Sequence, residues 1–198
     1  MIEVQLNQGS PEWHKFRSEK IGASMAPAIL NLSPYQSAVD LWEEMVGLKQ
    51  PKEATERMKR GLVLEDDARK YLFNETGLEM FPVVGVHDTI SYMSASFDGM
   101  TLDRKNAAEI KCNSKSIHEQ VKKGFIPESH LIQMGHQMEV CSLNMIYYLS
   151  FDGVKGIIIK VQRSDRLISE ILKKEEQFWY CLQSFIRPDV FISEYVAI

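Results

Sequence analysis

Two carboxylates and one lysine stand close together in the stretch 94–112, SASFDGMTLDRKNAAEIKC. Strand-like runs flank the turn formers DRKN, so the pattern predicts a β-hairpin. If the tip of the hairpin lies at the middle of DRKN, Asp98 is directly opposite Lys111. Side chains alternate between the two faces of a strand, so Glu109 shares the face of Lys111. The spacing therefore predicts that these three side chains converge, provided that the register does not slip by one residue.

The chemistry of this trio depends on its burial. On a solvent-facing hairpin it would be an ordinary ion pair, which contributes about 0–1 kcal/mol. Small and apolar neighbours instead indicate a buried strand, where two close carboxylates need a cation between them. Asp98, Glu109 and the backbone carbonyl of Ile110 would form an oxygen-only site that suits Mg²⁺ or Mn²⁺ rather than Zn²⁺. Lys111 would orient or deprotonate a water or stabilise a phosphate, as in metal-assisted phosphodiester hydrolysis.

Two helices on either side of the hairpin strengthen this hypothesis, because the spacing D-x10-E-x-K alone is a weak signal. Glu65 lies on a long predicted helix before the sheet, and Gln133 lies on a predicted helix after it. Each has an ordinary alternative: Glu65 belongs to the charged run EDD, and Gln133 would be unremarkable as a surface amide.

Composition sets the broad class. The chain has 198 residues, 44% hydrophobic and 25% charged, which are ordinary globular values, and a net charge of −4. No apolar run approaches the ~20 residues of a membrane span. The start MIEVQLNQGS does not resemble a secretory signal, so we expect a cytoplasmic protein. Cys112, Cys141 and Cys181 are far apart, which argues against a disulfide framework and a CxxC zinc site.

Periodicity and turn signals predict one α/β domain over 1–198, with a central mixed sheet of about five strands flanked by helices. Four helices come first, and Ser10 and Pro11 mark the start of the first one. The predicted elements are helices at 11–20, 23–31, 37–47, 53–77, 115–123, 129–143 and 164–186, and strands within 78–98, at 107–112, 145–152 and 155–162.

Several motifs, in this order, resemble the phage lambda exonuclease and YqaJ-type viral recombinase family, which has a restriction-endonuclease-like fold and a (D/E)-x-K core. The resemblance covers about residues 11 to 152. The matching motifs are WHKFR at 13–17, IGAS at 21–24, LSPY at 32–35, LWEEMVG at 41–47, ERMKRGLVLEDDAR at 56–69, SFDG at 96–99, EIKC at 109–112 and HLIQMGHQM at 130–138, the last resembling Y-x-x-Q-x-Q. Phe97 stands where the family usually has proline, and His130 where it often has tyrosine.

This resemblance implies a 5′→3′ exonuclease that degrades one strand of linear double-stranded DNA. It also implies a cofactor of two Mg²⁺ ions, with Mn²⁺ as a substitute, a ring-shaped homotrimer around DNA and a single-strand annealing protein as partner in recombination. The chain would be encoded by a phage or prophage and act in the bacterial host cytoplasm.

Roles follow by position from the resemblance. The metal ligands would be Asp98, Glu109, the carbonyl of Ile110 and, for a second ion, Glu65. The residues that position the attacking water would be Lys111 and Gln133. The residues that hold the 5′-phosphate of the DNA end would be Arg17, Ser24 and Ser96. A guanidinium matches phosphate oxygens, although an arginine on an amphipathic helix is more often a solvated charge.

Other functions remain open from the sequence. One is a Cas4/RecB-type or structure-specific nuclease, but the Cas4 branch generally carries four cysteines and only three are present. Another is a non-catalytic module that binds DNA ends, against which the intact Asp98, Glu109 and Lys111 set argues. The net acidity fits carboxylates gathered at metals, with Lys115, Lys122 and Lys123 as candidates for DNA tracking.

Overall fold

The computed structural model describes residues 1–50 and 55–188, and its centre is a seven-stranded mixed sheet. Its strands are β1 (Ile2–Val4), β2 (Ile21–Gly22), β3 (Phe81–Val86), β4 (Met93–Met100), β5 (Ala107–Lys111), β6 (Met145–Phe151) and β7 (Gly156–Gln162). The predicted α/β class is confirmed, and the five longer strands are those expected from the sequence. The two additional strands, β1 and β2, make the sheet larger than the predicted size of about five.

The strand order is β1-β3-β4-β5-β6-β7, and β2 joins the sheet on β4. The pairs β5–β6 and β2–β4 are parallel, and the other neighbours are antiparallel. Along one edge of β4 runs β3. Along its other edge, β2 pairs with the start of β4 and β5 pairs with its end, at Gly99 and Met100. The middle of that second edge is therefore open between two partner strands.

Helices cover both faces of the sheet. They are α1 (Pro11–Ser18), α2 (Ala26–Ile29), α3 (Ala38–Met45), α4 (Glu56–Thr76), α5 (Lys115–Lys122), α6 (Glu128–Cys141) and α7 (Asp165–Gln183). Ser10 caps α1 by accepting a hydrogen bond from the Trp13 N–H, as predicted, and Ser164 caps α7 by accepting one from the Leu167 N–H. The sequence pattern for the fourth helix begins at 53, but residues 53 and 54 lie outside the described part of the chain.

Two apolar layers fix these helices against the sheet. Ala68 and Leu72 of α4 pack on alternate residues of β5 and β6, such as Ile110 and Leu149. On the opposite face, α6 packs against β4 and also against α7. Period-2 alternation then directs Glu109 and Lys111, the neighbours of Ile110, towards α6. Within 1–50 and 55–188, no helix has the length and apolarity that crossing a membrane would require.

Candidate active site

The site begins at an irregularity in β4. Phe81 pairs with Met100 and Val83 pairs with Phe97, so Asp98 and the glycine after it oppose a single residue of β3. This is a β-bulge, a feature that bends a strand and redirects a side chain. The Oδ2 atom of Asp98 accepts a hydrogen bond from the Ile110 N–H at 2.7 Å. The carboxylate therefore occupies the seam between β4 and β5 at the point where their ladder ends.

The hairpin register differs from the prediction. Gly99 lies opposite Ala108, which continues to Asp98 opposite Glu109 rather than opposite Lys111. The loop is centred earlier than expected, since Thr101 pairs with Asn106. The prediction of the register was wrong by two residues. An even shift leaves every side chain on its predicted face, so the convergence of the three charged groups survives the correction.

Glu109 is the centre of a closed set of contacts. It is 1% exposed. Its Oε1 accepts from Lys111 Nζ at 2.6 Å and from Gln133 Nε2 at 2.8 Å, and its Oε2 accepts from Gln137 Nε2 at 2.5 Å. Lys111 Nζ also donates to Gln133 Oε1 at 3.0 Å. The structure thus brings the predicted Glu109, Lys111 and Gln133 together and adds Gln137, which was not predicted.

Burial and charge perturb the protonation of these groups. Burial raises the pKa of Asp98 well above its usual value, and repulsion from Glu109 adds to this, against the opposing pull of Lys111. Burial also raises the pKa of Glu65. Burial works to lower the pKa of Lys111, but attraction to Glu109 and Asp98 outweighs it, so the net shift is upward. Lys111 is therefore a protonated donor at neutral pH.

Glu65 is tied to the bulge through an arginine that was not predicted. Arg69, one turn later on α4, donates from Nη1 to the Asp98 carbonyl at 2.9 Å and lies 3.7 Å from Glu65 Oε2. It also pairs with Asp66. The i, i+4 spacing of Glu65 and Arg69 is the only sequence signal for this contact, and such pairs are common on helix surfaces.

Side chains, rather than a neighbouring strand, donate hydrogen bonds to the backbone carbonyls on the open edge of β4. The Ser94 carbonyl accepts from His136 Nε2 at 2.8 Å. The Ser96 carbonyl accepts from Gln137 Nε2 at 3.4 Å, and the Asp98 carbonyl accepts from Arg69 Nη1 at 2.9 Å. Buried carbonyls need such partners. The gap in the ladder is therefore the place where side chains from α4 and α6 meet the backbone of β4.

The acidic residues fit a hard cation in chemical type. Asp98, Glu109 and Glu65 offer carboxylate oxygens. Burial is the main cause of the upward pKa shifts of Asp98 and Glu65, and a bound cation would offset the cost of ionising these buried groups. Among residues 1–50 and 55–188, no three His, Cys, Asp or Glu side chains are gathered into a ready-made metal cluster. The oxygens of Glu109 are instead hydrogen-bonded to Lys111 and the two glutamines.

The three residues expected at the 5′-phosphate are linked into one group. Arg17 Nη2 donates to Ser24 Oγ at 2.9 Å, and its guanidinium lies 4.6 Å from the centroid of the Trp13 ring. Trp13 Nε1 donates in turn to Ser96 Oγ at 2.9 Å. Burial lowers the pKa of Arg17. We call Arg17, Ser24, Ser96 and Trp13 the end-phosphate cluster, after the role that the resemblance implies for the first three; Trp13, which connects them, was not predicted.

A third polar group lies beside Lys111. Tyr148 Oη is 2.9 Å from His130 Nδ1 and accepts from Asn113 Nδ2 at 3.0 Å. Asn113 Nδ2 also donates to Ser150 Oγ, which contacts the ring of His118. Burial raises the pKa of Tyr148 to about 12. The histidine at the position where the resemblance expects tyrosine thus reaches a buried tyrosine on the neighbouring strand.

Comparisons with known proteins agree with this architecture. The YqaJ-like viral recombinase domain matches residues 12–144. The uncharacterized protein YqaJ of Bacillus subtilis (strain 168) is 27% identical over 174 residues, which is 85% of this chain and 54% of YqaJ; the chain thus spans about half the length of that relative.

Solved structures of two other proteins share the fold. An alkaline exonuclease (LHK-Exo) from Laribacter hongkongensis superposes with a TM-score of 0.76 and 27% identity, over 89% of this chain and 94% of that one. The same exonuclease has been solved in complex with dAMP. A phage-related exonuclease from Haemophilus somnus 129PT gives a TM-score of 0.61 at 15% identity, over 84% of this chain and 96% of that one, which supports the fold alone. With two thirds of its length matched by the family profile, the chain belongs to the YqaJ-like viral recombinase domain family.

Proposed function

We propose that this chain is a metal-dependent 5′→3′ exonuclease that degrades one strand of linear double-stranded DNA by phosphodiester hydrolysis. The observation that carries the proposal is the position of two clusters on one strand. We call Glu65, Asp98 and Glu109 the carboxylate group. Ser96 belongs to the end-phosphate cluster, and Asp98 of the carboxylate group lies two residues further along β4. Two residues of extended chain span about 7 Å, which is comparable to the distance between neighbouring phosphates of one DNA strand.

The two clusters would have different roles in binding the DNA end. Arg17, with Ser24 and Ser96, binds the terminal 5′-phosphate through charge-assisted hydrogen bonds. The next phosphodiester then lies beside Asp98 and Glu109. Binding one phosphate to position its neighbour converts end recognition into orientation for the chemical step. That the related alkaline exonuclease has been solved with dAMP, a mononucleotide, supports a product of this class.

Two Mg²⁺ ions, replaceable by Mn²⁺, would be held by Asp98, Glu109 and the Ile110 carbonyl, with Glu65 on the second ion. When bound, they supply a water of lowered pKa and neutralise charge on the phosphate. Lys111, protonated and held by Glu109 and Gln133, would orient the attacking water and stabilise the charge that develops on phosphate oxygens.

The assembly and partners also belong to the proposal. We expect a homotrimer that surrounds the DNA, a single-strand annealing protein that coats the strand exposed by digestion, and action in the bacterial host cytoplasm on behalf of a phage or prophage. The description of the family as viral recombinases supports the role in recombination. Light scattering coupled to gel filtration tests the trimer directly.

The test compares digestion of linear duplex carrying 5′-phosphate or 5′-hydroxyl ends by wild type and Lys111→Ala. We expect Mg²⁺-dependent loss of the phosphorylated strand from its 5′ end, inhibition by a chelator, and a loss of at least about 100-fold in Lys111→Ala, because electrostatic groups of this kind contribute 10²–10³. Lys105→Ala is the matched control, since Lys105 is an exposed lysine of the same hairpin.

Three results would contradict the proposal. Activity equal in wild type and Lys111→Ala would assign it to a contaminant. Cutting of closed circular duplex would indicate an endonuclease. An inert wild type that still binds duplex ends would indicate the non-catalytic module.

A further inference from the structure

Gln137 holds together two parts of the site that the sequence treats separately. It lies on α6, one turn after Gln133, and is fully buried. Its Nε2 donates to Glu109 Oε2 at 2.5 Å and to the Ser96 carbonyl at 3.4 Å. Glu109 belongs to the carboxylate group and Ser96 to the end-phosphate cluster. One amide nitrogen therefore touches both.

The orientation of this amide is fixed by its neighbours. Both groups that it contacts, a carboxylate oxygen and a carbonyl oxygen, can only accept hydrogen bonds. Turning the amide over would place Oε1 against two acceptors, so the observed orientation is the only one that the site tolerates. Oε1 is left buried without a hydrogen-bond partner in the described part of the chain. The side chain is therefore arranged for the two acceptors that it holds.

The backbone around Ser96 depends on this contact. The Ser96 carbonyl lies on the open edge of β4, where a neighbouring strand would otherwise fix its position. The flanking carbonyls of Ser94 and Asp98 are held by His136 and Arg69. Within residues 1–50 and 55–188, neither of those two side chains hydrogen-bonds to Glu109, and Gln137 is the side chain that bonds both the edge of β4 and the central carboxylate.

Gln137 also occupies a position that the family resemblance does not supply. The pattern Y-x-x-Q-x-Q aligns its second glutamine with Gly135. A side chain at Gly135 would meet Ile171 Cδ1 at 2.9 Å, because α6 packs closely on α7 there. Residue 137 lies four positions after Gln133, on the same face of the helix, and so points to the site instead.

We propose that Gln137 is a positioning residue that sets the distance between the end-phosphate cluster and the carboxylate group, and thereby sets the preference for 5′-phosphorylated ends. This inference rests on the proposed exonuclease function. When the terminal phosphate is bound, the register of the scissile bond depends on how rigidly Ser96 is fixed relative to Glu109. An end that lacks the phosphate does not use the cluster, and its slower cleavage does not depend on that distance.

The experiment measures kcat and KM on duplexes with 5′-phosphate and 5′-hydroxyl ends for Gln137→Met, which keeps the size of the side chain and removes the amide. We expect kcat on phosphorylated ends to fall by about 10- to 100-fold, the cost of a misplacement of about 1 Å. KM on those ends and kcat on hydroxyl ends change little, so the phosphate preference shrinks. We also expect Mg²⁺ to raise the Tm of Gln137→Met as much as it raises the Tm of wild type, because Glu109 is still present.

Gln120→Met, an exposed glutamine of α5, is the control and should match wild type. If Gln137→Met does not fold, Gln137→Asn carries the test. It keeps a neutral amide but is one methylene shorter, so it cannot bond both the Glu109 carboxylate and the Ser96 carbonyl, and the same loss of preference is expected.

An unchanged preference in a folded variant overturns the inference, and so does an equal loss on both kinds of end, which would mean that Gln137 supports Glu109 alone. Wild type without nuclease activity would instead refute the proposed function.

Discussion

At the scale of single residues, Asp98 lowers the stability of the cation-free fold when it is ionised. Asp98 follows the buried Phe97 on β4, accepts a hydrogen bond from one backbone N–H and lies near the Glu109 carboxylate. Its raised pKa means that the folded protein favours the neutral form. The cost of ionisation therefore appears as the pH rises from the unfolded pKa through the higher folded pKa.

Asp98→Asn should stabilise the cation-free protein. Asparagine keeps an oxygen for the Ile110 N–H and removes the buried charge. In a chelator at pH 8 we expect a Tm above that of wild type, by about 2–4 °C for each kcal/mol recovered. The difference should shrink towards acid pH, where Asp98 is already neutral, and Mg²⁺ should no longer raise the Tm. Thermal melts at pH 5 and 8, with and without Mg²⁺, measure this. A lower Tm for the variant at pH 8 in the chelator would show that the negative charge of Asp98 does not destabilise the folded protein.

At the scale of elements, the sequence predicts the long strands and helices, and the short or tertiary features escape it. The alternation around Glu109 and the 3.6-residue spacing in α4, α6 and α7 are local patterns that burial on one face imposes. β1 and β2 have three and two residues, too few for a period to be visible. The register of the hairpin was predicted wrongly because Arg104 in its loop has a φ of 60°, a left-handed conformation that the turn formers DRKN do not reveal.

The same distinction applies to the site. Asp98, Glu109 and Lys111 were predictable because they share one hairpin. Glu65 and Gln133 stood out only as polar residues on flanking helices, and the roles expected of them and of Arg17, Ser24 and Ser96 came from the family resemblance. Trp13, Arg69 and Gln137 reach their partners across 83, 29 and 28 residues. Such contacts are set by how α1, α4 and α6 pack, which no local pattern reports.

Gly99 lies in the bulge of β4, where the space around it is too small for a side chain. A Cβ at Gly99 would lie 3.0 Å from Met80 Cβ, a backbone-anchored atom that cannot move by itself. Gly99→Ala should therefore destabilise the protein by about 1–3 kcal/mol, the usual cost of overpacking. It should also lower activity, because the bulge that aims Asp98 must shift. Denaturant unfolding and the duplex digestion assay measure both effects.

Gly61→Ala is the matched comparison for that change. Gly61 lies inside α4, and an added Cβ there meets no atom of the described side chains within 4 Å. Alanine is the better helix former by about 1 kcal/mol, so this variant should be more stable than wild type. If both alanine variants shifted stability in the same direction, crowding at the bulge would not be the cause.

At the scale of the whole molecule, the proposed function needs negative charge at the metal ligands and positive charge where DNA binds. The chain carries a net charge of −4, yet its proposed substrate is a polyanion. Acidic groups are concentrated around Asp98, where cations would offset them, and DNA contacts need a separate basic surface. Lys115, Lys122 and Lys123 are exposed on α5 and its C-terminal cap, directly after the strand that carries Lys111. Lys115 and Lys122 are seven residues apart and so lie on one side of the helix.

Removing this basic side should change the salt dependence of DNA binding more than the chemistry. Each lysine that contacts a phosphate adds about 0.9 to the slope of log K against log salt. The triple change Lys115→Ala, Lys122→Ala and Lys123→Ala should lower that slope in proportion and shorten the tracts digested in one binding event, while the single-turnover cleavage rate at saturating protein stays near that of wild type. The control replaces three lysines paired with neighbouring aspartates on other elements, Lys49, Lys70 and Lys105. The control changes the net charge by the same amount. If both triple variants lowered the salt dependence of DNA binding equally, overall charge and not the position on α5 would be the cause.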